Sequence, residues 1–407
     1  MTLNKIVCII LVLLLGLSVS VAQELNISPY SIFGIGDLHF SETGRTSGMA
    51  SALTGLSGGQ LLNTANPAAL ATLDTNTFIF DMTGSAKASV YNSGRITQNS
   101  FGANFNKISA GLHITSRWSG AVTIQPYSTV NYKIKKEDFI EGSQNLIPTY
   151  YEGSGGVNRV SVLNSLRLTK GLSIGVDLLM LFGNINRDVT QSEVKIRENS
   201  IASAFSFSSG MFYRTEFSEN LTLAAGLTYG YGSDLRFRNS LTVTSKEGST
   251  VYKDNIESSR MKNPANWGAG ISLTARQLII AADYRYQQWS MIYGNKTDNR
   301  FTDTHMINLG AELAPGFSAG RTYARSFKYQ AGISVSNFYM TLNGVNPINY
   351  EFTAGAAIPF RSGGQVNASL GWGKRGTVSN GLIREDYLRL TLSISLAERM
   401  FLKRMYD

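Results

Sequence analysis

Leu388, Leu390, Leu392, Ile394 and Leu396 alternate with Arg389, Thr391, Ser393 and Ser395, so one face of this stretch is apolar and the other polar. A period of two is that of a β-strand. The same signature recurs upstream, with Val366, Ala368, Leu370 and Trp372 set against Asn367, Ser369 and Gly371, and Leu221, Leu223, Ala225, Leu227, Tyr229 and Tyr231 against Thr222, Ala224, Gly226, Thr228 and Gly230. Segments of this kind predict about fourteen strands, at 77–91, 99–115, 120–135, 157–169, 171–189, 199–215, 220–244, 250–274, 277–294, 303–314, 324–340, 348–359, 364–375 and 384–397. Alternation alone fits a soluble sandwich as well as a membrane barrel. Length and aromatic placement separate the two. Several segments hold the pattern for about nine residues or more, enough to cross a bilayer when tilted, whereas soluble strands are usually nearer five or six. Tyr229, Tyr231, Tyr284, Tyr286 and Trp372 gather near strand ends, where a barrel places its interfacial girdles. The fold expected is all-β, a transmembrane antiparallel β-barrel spanning 76–397.

Connections fit the same picture. Arg117-Trp118-Ser119, Thr169-Lys170-Gly171, Ser218-Glu219-Asn220 and Arg361-Ser362-Gly363 are short enough for periplasmic turns, while Lys136 to Gly156 reads as a long polar link on the outside. Pro315 to Tyr323 is longer than the other turns and has no explanation in the pattern. Two faults interrupt the strands. The apolar phase passes from Phe101, Ala103 and Phe105 to Ile108, Ala110, Leu112 and Ile114, a slip that predicts a bulge near Asn106. In the third segment Pro126 cannot donate to a ladder, so it requires an edge, a bulge or a gap in the wall.

The N-terminus is different material. Met1 to Ala22 has a basic start at Lys5, an apolar run from Ile6 to Leu17 and a small-residue end, which reads as a secretory signal cleaved before Gln23. Residues 23–75 do not alternate. Gly44 to Leu73 is small, nearly uncharged and rich in glycine, yet Met49, Leu53, Leu56, Leu61, Leu62, Leu70 and Leu73 give it packing surface. It is expected to fold as a hatch, or plug, inside the barrel. Residues 398–407 form a basic, amphipathic tail on the periplasmic side, suited to rest on lipid headgroups.

Composition narrows the chemistry. The chain has 407 residues, 40 Gly, 16% charged residues and a formal net charge of +9. The charges are scattered, so no nucleic-acid groove is expected, and an exported basic chain meets anionic lipid and lipopolysaccharide first. The only cysteine, Cys8, leaves with the signal, which removes thiolate catalysis and thiolate metal sites from the mature chain. His39, His113 and His305 lie in no motif. Three G-x-S-x-G spacings, beginning at Gly55, Gly171 and Gly316, lack the strand-to-helix elbow such a nucleophile needs. Gly371, Gly373 and Gly376 satisfy G-x-G-x-x-G without a following helix. No enzyme, metal site or cofactor is expected. Inward-facing positions include Asp81, Lys87, Lys133, Arg159, Arg167, Asp177, Asp283, Arg285, Glu312, Lys328, Glu351 and Arg389, with Leu163, Leu179, Leu181 and Ile279 as the few large apolar ones. Such a lumen is polar, and its charges are expected to pair with one another and with the hatch.

A cleaved signal, a small-residue segment carrying Asn66-Pro67-Ala68, and some fourteen alternating strands together resemble the FadL/TodX family of outer-membrane channels for hydrophobic compounds. The resemblance implies that Asn66, Pro67 and Ala68 shape the hatch. It also implies that a kink in the third strand, here at Pro126, opens the wall sideways. A hydrophobic or amphiphilic ligand, such as a long-chain fatty acid, would then leave laterally into the bilayer of the outer membrane. The alternative expectation is a non-transporting barrel subunit of an outer-membrane protein assembly or secretion complex, with protein partners.

Overall fold

The computed structural model describes residues 27–40, 44–94, 96–139, 146–245, 249–292, 300–315, 327–360 and 363–400. The wall is a closed antiparallel barrel of 14 strands. They are β1 (Thr77–Asn92), β2 (Thr97–His113), β3 (Trp118–Phe139), β4 (Leu146–Arg167), β5 (Leu172–Gln191) and β6 (Val194–Ser218), followed by two broken strands. β7 comprises Leu221–Gly230 and Asp234–Ser245, and β8 comprises Thr250–Lys262 and Asn266–Ala275. The remainder are β9 (Leu278–Gln287), β10 (Thr304–Leu313), β11 (Lys328–Asn337), β12 (Ile348–Pro359), β13 (Gln365–Arg375) and β14 (Arg384–Arg399). The last strand closes on the first, with Arg384 opposite Asn92 and Arg399 opposite Thr77. The breaks in β7 and β8 lie side by side, where Gly232 and Pro264 interrupt the strands and the Asn263 N–H donates to the Ser233 carbonyl at 2.7 Å. Pro264 has no N–H to give a ladder, so a break there leaves no donor orphaned.

Outward positions carry the greasy half of the alternation. Leu370, Trp372, Leu388, Leu390 and Leu392 are all exposed, as are Ile271, Ile280, Ile307 and Leu309. In water this belt would be a liability; in lipid it is the solvent-facing surface. Tyr229, Trp267 and Tyr286, on three neighbouring strands, sit ring to ring at centroid distances of 5.5 Å, as an interfacial girdle would.

β9 to β13 stop at one rim, at Gln287, Thr304, Asn337, Ile348 and Arg375. β3 to β8 run on above it as an upright sheet, pairing Lys135 with Tyr150, Thr190 with Lys195, and Ile256 with Asn239. The stretch expected to be a long outer link, Lys136 to Gly156, is therefore mostly a hairpin of β3 and β4. Its charged side chains mimic a loop because the outer face of this extension, and both faces at its tip from Lys135 to Glu137, meet solvent. The inner face of the sheet, by contrast, carries Val130, Tyr132, Leu181, Ile185, Leu235 and Phe237 into an apolar cluster. Tyr30 and Ile35 from the N-terminal segment, and Trp289, Tyr339 and Leu342 from outer loops, complete it. Trp289 and Tyr339 lie 4.7 Å apart between centroids, and Trp289 is wholly buried.

Glu398 and Arg399, expected in the tail, close the last strand, where they face Phe78 and Thr77. The signal at 1–22, the end of the tail and most of Pro315 to Tyr323 lie outside the described residues.

Candidate functional site: the plugged lumen

Small residues, glycines and two prolines leave 27–40 and 44–73 without a sustained strand pattern, and they fold as 3-10 turns at Pro29–Ile32, Gly44–Met49 and Pro67–Thr72 with a two-residue strand at Asp37–Leu38. Most residues from Gly44 to Leu73 are buried, although no neighbour in sequence could cover them. The wall does. Ile79, Ala121 and Leu163 pack on Leu62, Leu70 and Leu73, and Phe212 and Ala224 pack on Ala68 and Ala69.

Asn66 carries the local geometry of the expected hatch motif. Its side-chain oxygen accepts from the Ala68 N–H at 3.1 Å, capping the turn that Pro67 begins. Its amide nitrogen donates to the carbonyls of Thr54 (3.2 Å) within the plug and Met211 (3.1 Å) on β6. The Ala68 carbonyl accepts from the hydroxyls of Ser165 (2.9 Å) and Ser173 (2.8 Å). Asn66, Pro67 and Ala68 thus lie together at the plug–wall seam, on the inner surfaces of β4, β5 and β6. Gly175 makes the approach possible, since a Cβ there would fall 2.5 Å from the Pro67 carbonyl carbon and the Ala68 nitrogen. Gly310 and Gly332 seat Met49 in the same way, at 2.5 Å.

Wall side chains pin the rest of the plug. Both Leu53 and Thr54 donate their backbone N–H to one oxygen of Asp283, each at 2.7 Å. Ser272 donates to the Gly55 carbonyl (2.7 Å), Thr353 to that of Gly48 (2.9 Å) and Gln330 to that of Arg45 (2.6 Å). Arg167 donates to the Ala71 carbonyl. Within the plug, Asn63 donates to the carbonyls of Leu53 (2.7 Å) and Leu56 (2.9 Å) and accepts from the N–H groups of Ala65 and Asn66. Buried backbone groups need such partners, and here a single asparagine satisfies four of them.

Above the plug remains a cavity of about 220 Å³, lined by Asp37, Lys87, Asn104, Asn308, Glu351 and Arg375 among others. Its charges are paired. Lys87 meets Glu385 at 2.6 Å, Arg375 meets Asp37 at 2.8 Å, Arg389 meets Glu351 at 2.7 Å, and Arg285 lies 3.6 Å from Asp283. Arg159 pairs with Asp177 lower in the lumen, Glu312 accepts from Gln330 at 2.6 Å, and Lys328 donates to Gln365 at 3.1 Å. Asp81 is buried on the inner face of β1. Burial alone would raise the Asp37 carboxyl, but the charge of, and the hydrogen bond from, the Arg375 guanidinium outweigh it and hold the group below the usual carboxylate range.

One inward assignment fails. Lys133 is exposed, and its neighbour Tyr132 is the buried residue. The register of β3 on β4 shifts between Pro126 and Ser128, so the inner face passes from Thr123 and Gln125 to Ser128, Val130 and Tyr132. A one-residue bulge inverts every side chain beyond it. The bulge expected near Asn106 is present: Thr83 faces Lys107 and Gly84 faces Phe105, with Asn106 as the extra residue, its side chain accepting from Ser85 at 2.8 Å. The same inversion brings Lys107 inside, buried and donating to Thr64 at 3.0 Å, a contact legible from its phase with Ser109, Gly111 and His113. Glu385 was also missed. It is wholly buried and accepts from Ser89 at 2.8 Å, and counting back by twos from Arg389 would have found it.

Pro126 marks a real seam. The β2–β3 ladder runs from His113 opposite Ser119 only as far as Ile108 opposite Ile124, and above this the two strands part. The plug covers the β3 side of the parting: Asp37 and Leu38 pair with Thr129 and Ser128, and the N–H of His39 donates to the Tyr127 carbonyl at 2.9 Å. The three histidines go to separate partners, His39 to Thr129, His113 to Ser119 and His305 to Tyr284.

A sequence model of the BamG family matches residues 2–407. The chain belongs to the BamG family. The FadL/TodX likeness holds at the level of the fold. A FadL homologue of Pseudomonas aeruginosa superposes with a TM-score of 0.59 at 12% identity, covering 90% of this chain and 100% of its own. The toluene transporter TodX of Pseudomonas putida gives 0.58 at 13% identity, covering 90% and 100%. The monoaromatic hydrocarbon channel CymD gives 0.55 at 14% identity, covering 89% and 98%. Comparison with curated protein sequences finds no significant match. This BamG chain therefore shares its fold with outer-membrane channels for hydrophobic compounds.

Proposed function

We propose that this BamG barrel is a non-transporting, non-catalytic subunit of a protein-assembly complex in the outer membrane of a Gram-negative envelope, where its belt contacts lipid and lipopolysaccharide. The observation that carries this reading is the filled lumen. The plug is hydrogen-bonded to the inner faces of β4–β6, β8, β9, β11 and β12, the apolar cluster roofs the outer end, and the cavity between them is lined by paired ions. An apolar ligand there would desolvate charged groups without replacing their hydrogen bonds, which costs free energy. Family membership supports the same reading.

The fold of the neighbours and the parting of β2 from β3 at Pro126 favour a second reading, passive uptake of hydrophobic or amphiphilic small molecules by lateral diffusion. Apolar surface gains about 25 cal/mol per Å² by staying out of water, so a sideways exit into lipid is physically sound. Purification of the tagged chain from native membranes in mild detergent separates the two. The assembly reading expects stoichiometric outer-membrane protein partners; recovery of the chain alone, together with hydrophobic uptake that depends on it, would establish the channel.

A further inference from the structure

Within lipid, a backbone N–H or C=O without a partner costs several kcal/mol, and a free sheet edge is a template for another strand. The parting of β2 and β3 creates two such edges. That of β3 is used, because the N–H of Ser28 donates to the Asn131 carbonyl at 2.8 Å and Asp37 to His39 continue the pairing. That of β2 is not. Residues 98–105 pair with β1 on one side, from Gln98 opposite Tyr91 to Phe105 opposite Gly84. On the other side no strand or backbone group among the described residues meets them.

The lower part of this edge lies at membrane depth. Counted from the lower strand ends, Arg375 stands ten residues above Gln365 on β13 and Gln98 fifteen above His113 on β2, so residues 98–102 rise past the level of the rim and 103–105 lie at or below it. Phe101 and Phe105 are 65% and 41% exposed on the lipid side. On the inner side the oxygens of Ser100 and Asn104 are buried with no hydrogen-bond partner. Backbone and side chains of one stretch therefore lack partners together.

We propose that residues 98–105 of β2 accept a strand from another membrane-barrel polypeptide, added edge to edge. The incoming strand would alternate, with apolar side chains beside Phe101 and Phe105 and hydroxyl or amide side chains beside Ser100 and Asn104. Acyl chains satisfy neither the backbone nor the two oxygens, which selects a polypeptide over lipid. The proposal deepens the assembly reading and rests on it for the nature of the occupant. Its own test uses purified protein, so failure here leaves the co-purification result standing.

The probe is the synthetic peptide LRLTLSISL, the sequence of Leu388–Leu396, added to the full mature chain in lipid nanodiscs; a permuted peptide of equal composition without alternation is the control. Amide exchange is read over 98–105 and, as a closed seam, over 366–374. The alternating peptide is expected to slow exchange at 98–105 by tenfold or more and leave 366–374 unchanged. A photo-crosslinker at Ala103 should capture it, and one at Leu370 should not. Protection of 98–105 at the closed-seam level before peptide is added would overturn the proposal. So would equal protection by the permuted peptide, or protection that disappears on dilution to monomers, which would assign the edge to a second copy.

Discussion

Asp283→Ala removes the clamp on which the plug's position depends most. In the wild type one buried carboxylate oxygen accepts from the N–H groups of Leu53 and Thr54, both at 2.7 Å and both almost fully buried. Alanine leaves two buried donors without a partner, at about 1–3 kcal/mol each, so the docked plug should lose about 2–6 kcal/mol. At about 1.4 kcal/mol per factor of ten, exchange of these two amides should rise by at least about 30-fold. Asp283→Asn keeps one acceptor oxygen and should fall between the two. Site-resolved hydrogen exchange in nanodiscs reads the effect, and the heat-dependent gel mobility of the folded barrel verifies that the wall persists. Unchanged exchange at Leu53 and Thr54 in a folded Asp283→Ala barrel would refute the reasoning, because the plug would then be held without its most buried clamp.

Further outcomes follow from the same contacts. Gly175→Val drives a side chain into Pro67 and Ala68, and overpacking of this kind costs about 1–3 kcal/mol or more, so amides 66–72 should exchange faster or the barrel should fail to acquire its folded gel mobility, with Gly175→Ala milder. Asn66→Ala should cost about 1 kcal/mol for the lost cap, with more for the unpaired Thr54 and Met211 carbonyls, visible as a lower unfolding midpoint in denaturant. Because the folded Asp37 carboxyl lies below its unfolded value of about 3.9, its stabilising contribution is present above about pH 4 and is lost as pH falls through the folded pKa. Residues 27–40 should therefore stay docked from pH 5 to 8 and loosen in acid, and Asp37→Asn should abolish that acid component of their exchange.

The strands were legible because one physical constraint acts on nearly every residue of the wall: lipid outside, polar groups within. That constraint also exposed the bulge at Asn106 and the interruption at Pro126, since each breaks a regular count. Lys133 is misplaced because the count is not inverted after Pro126, whereas Lys107 follows from the slip at Asn106 once the polar positions beyond it are read as inward. Where the outer face meets water instead of lipid, as in the upper halves of β3 and β4, alternation no longer reports a wall, and the hairpin reads as a loop. The plug could be recognised as compact from its leucines, but its seats could not. The glycines that receive it, Gly175, Gly310 and Gly332, look in sequence like any small residue of a crowded strand. The outer apolar cluster was hidden for another reason: Tyr30, Trp289, Tyr339 and Leu342 come from separate segments whose meeting depends on the closed barrel.

Transfer of a fluorescent long-chain fatty acid and of toluene into cells with and without the chain tests the sealed lumen most directly. A stoppered, non-transporting barrel predicts equal uptake in the two strains for both compounds. Uptake that falls when the chain is removed, and returns with the wild type but not with Pro126→Val, would contradict it.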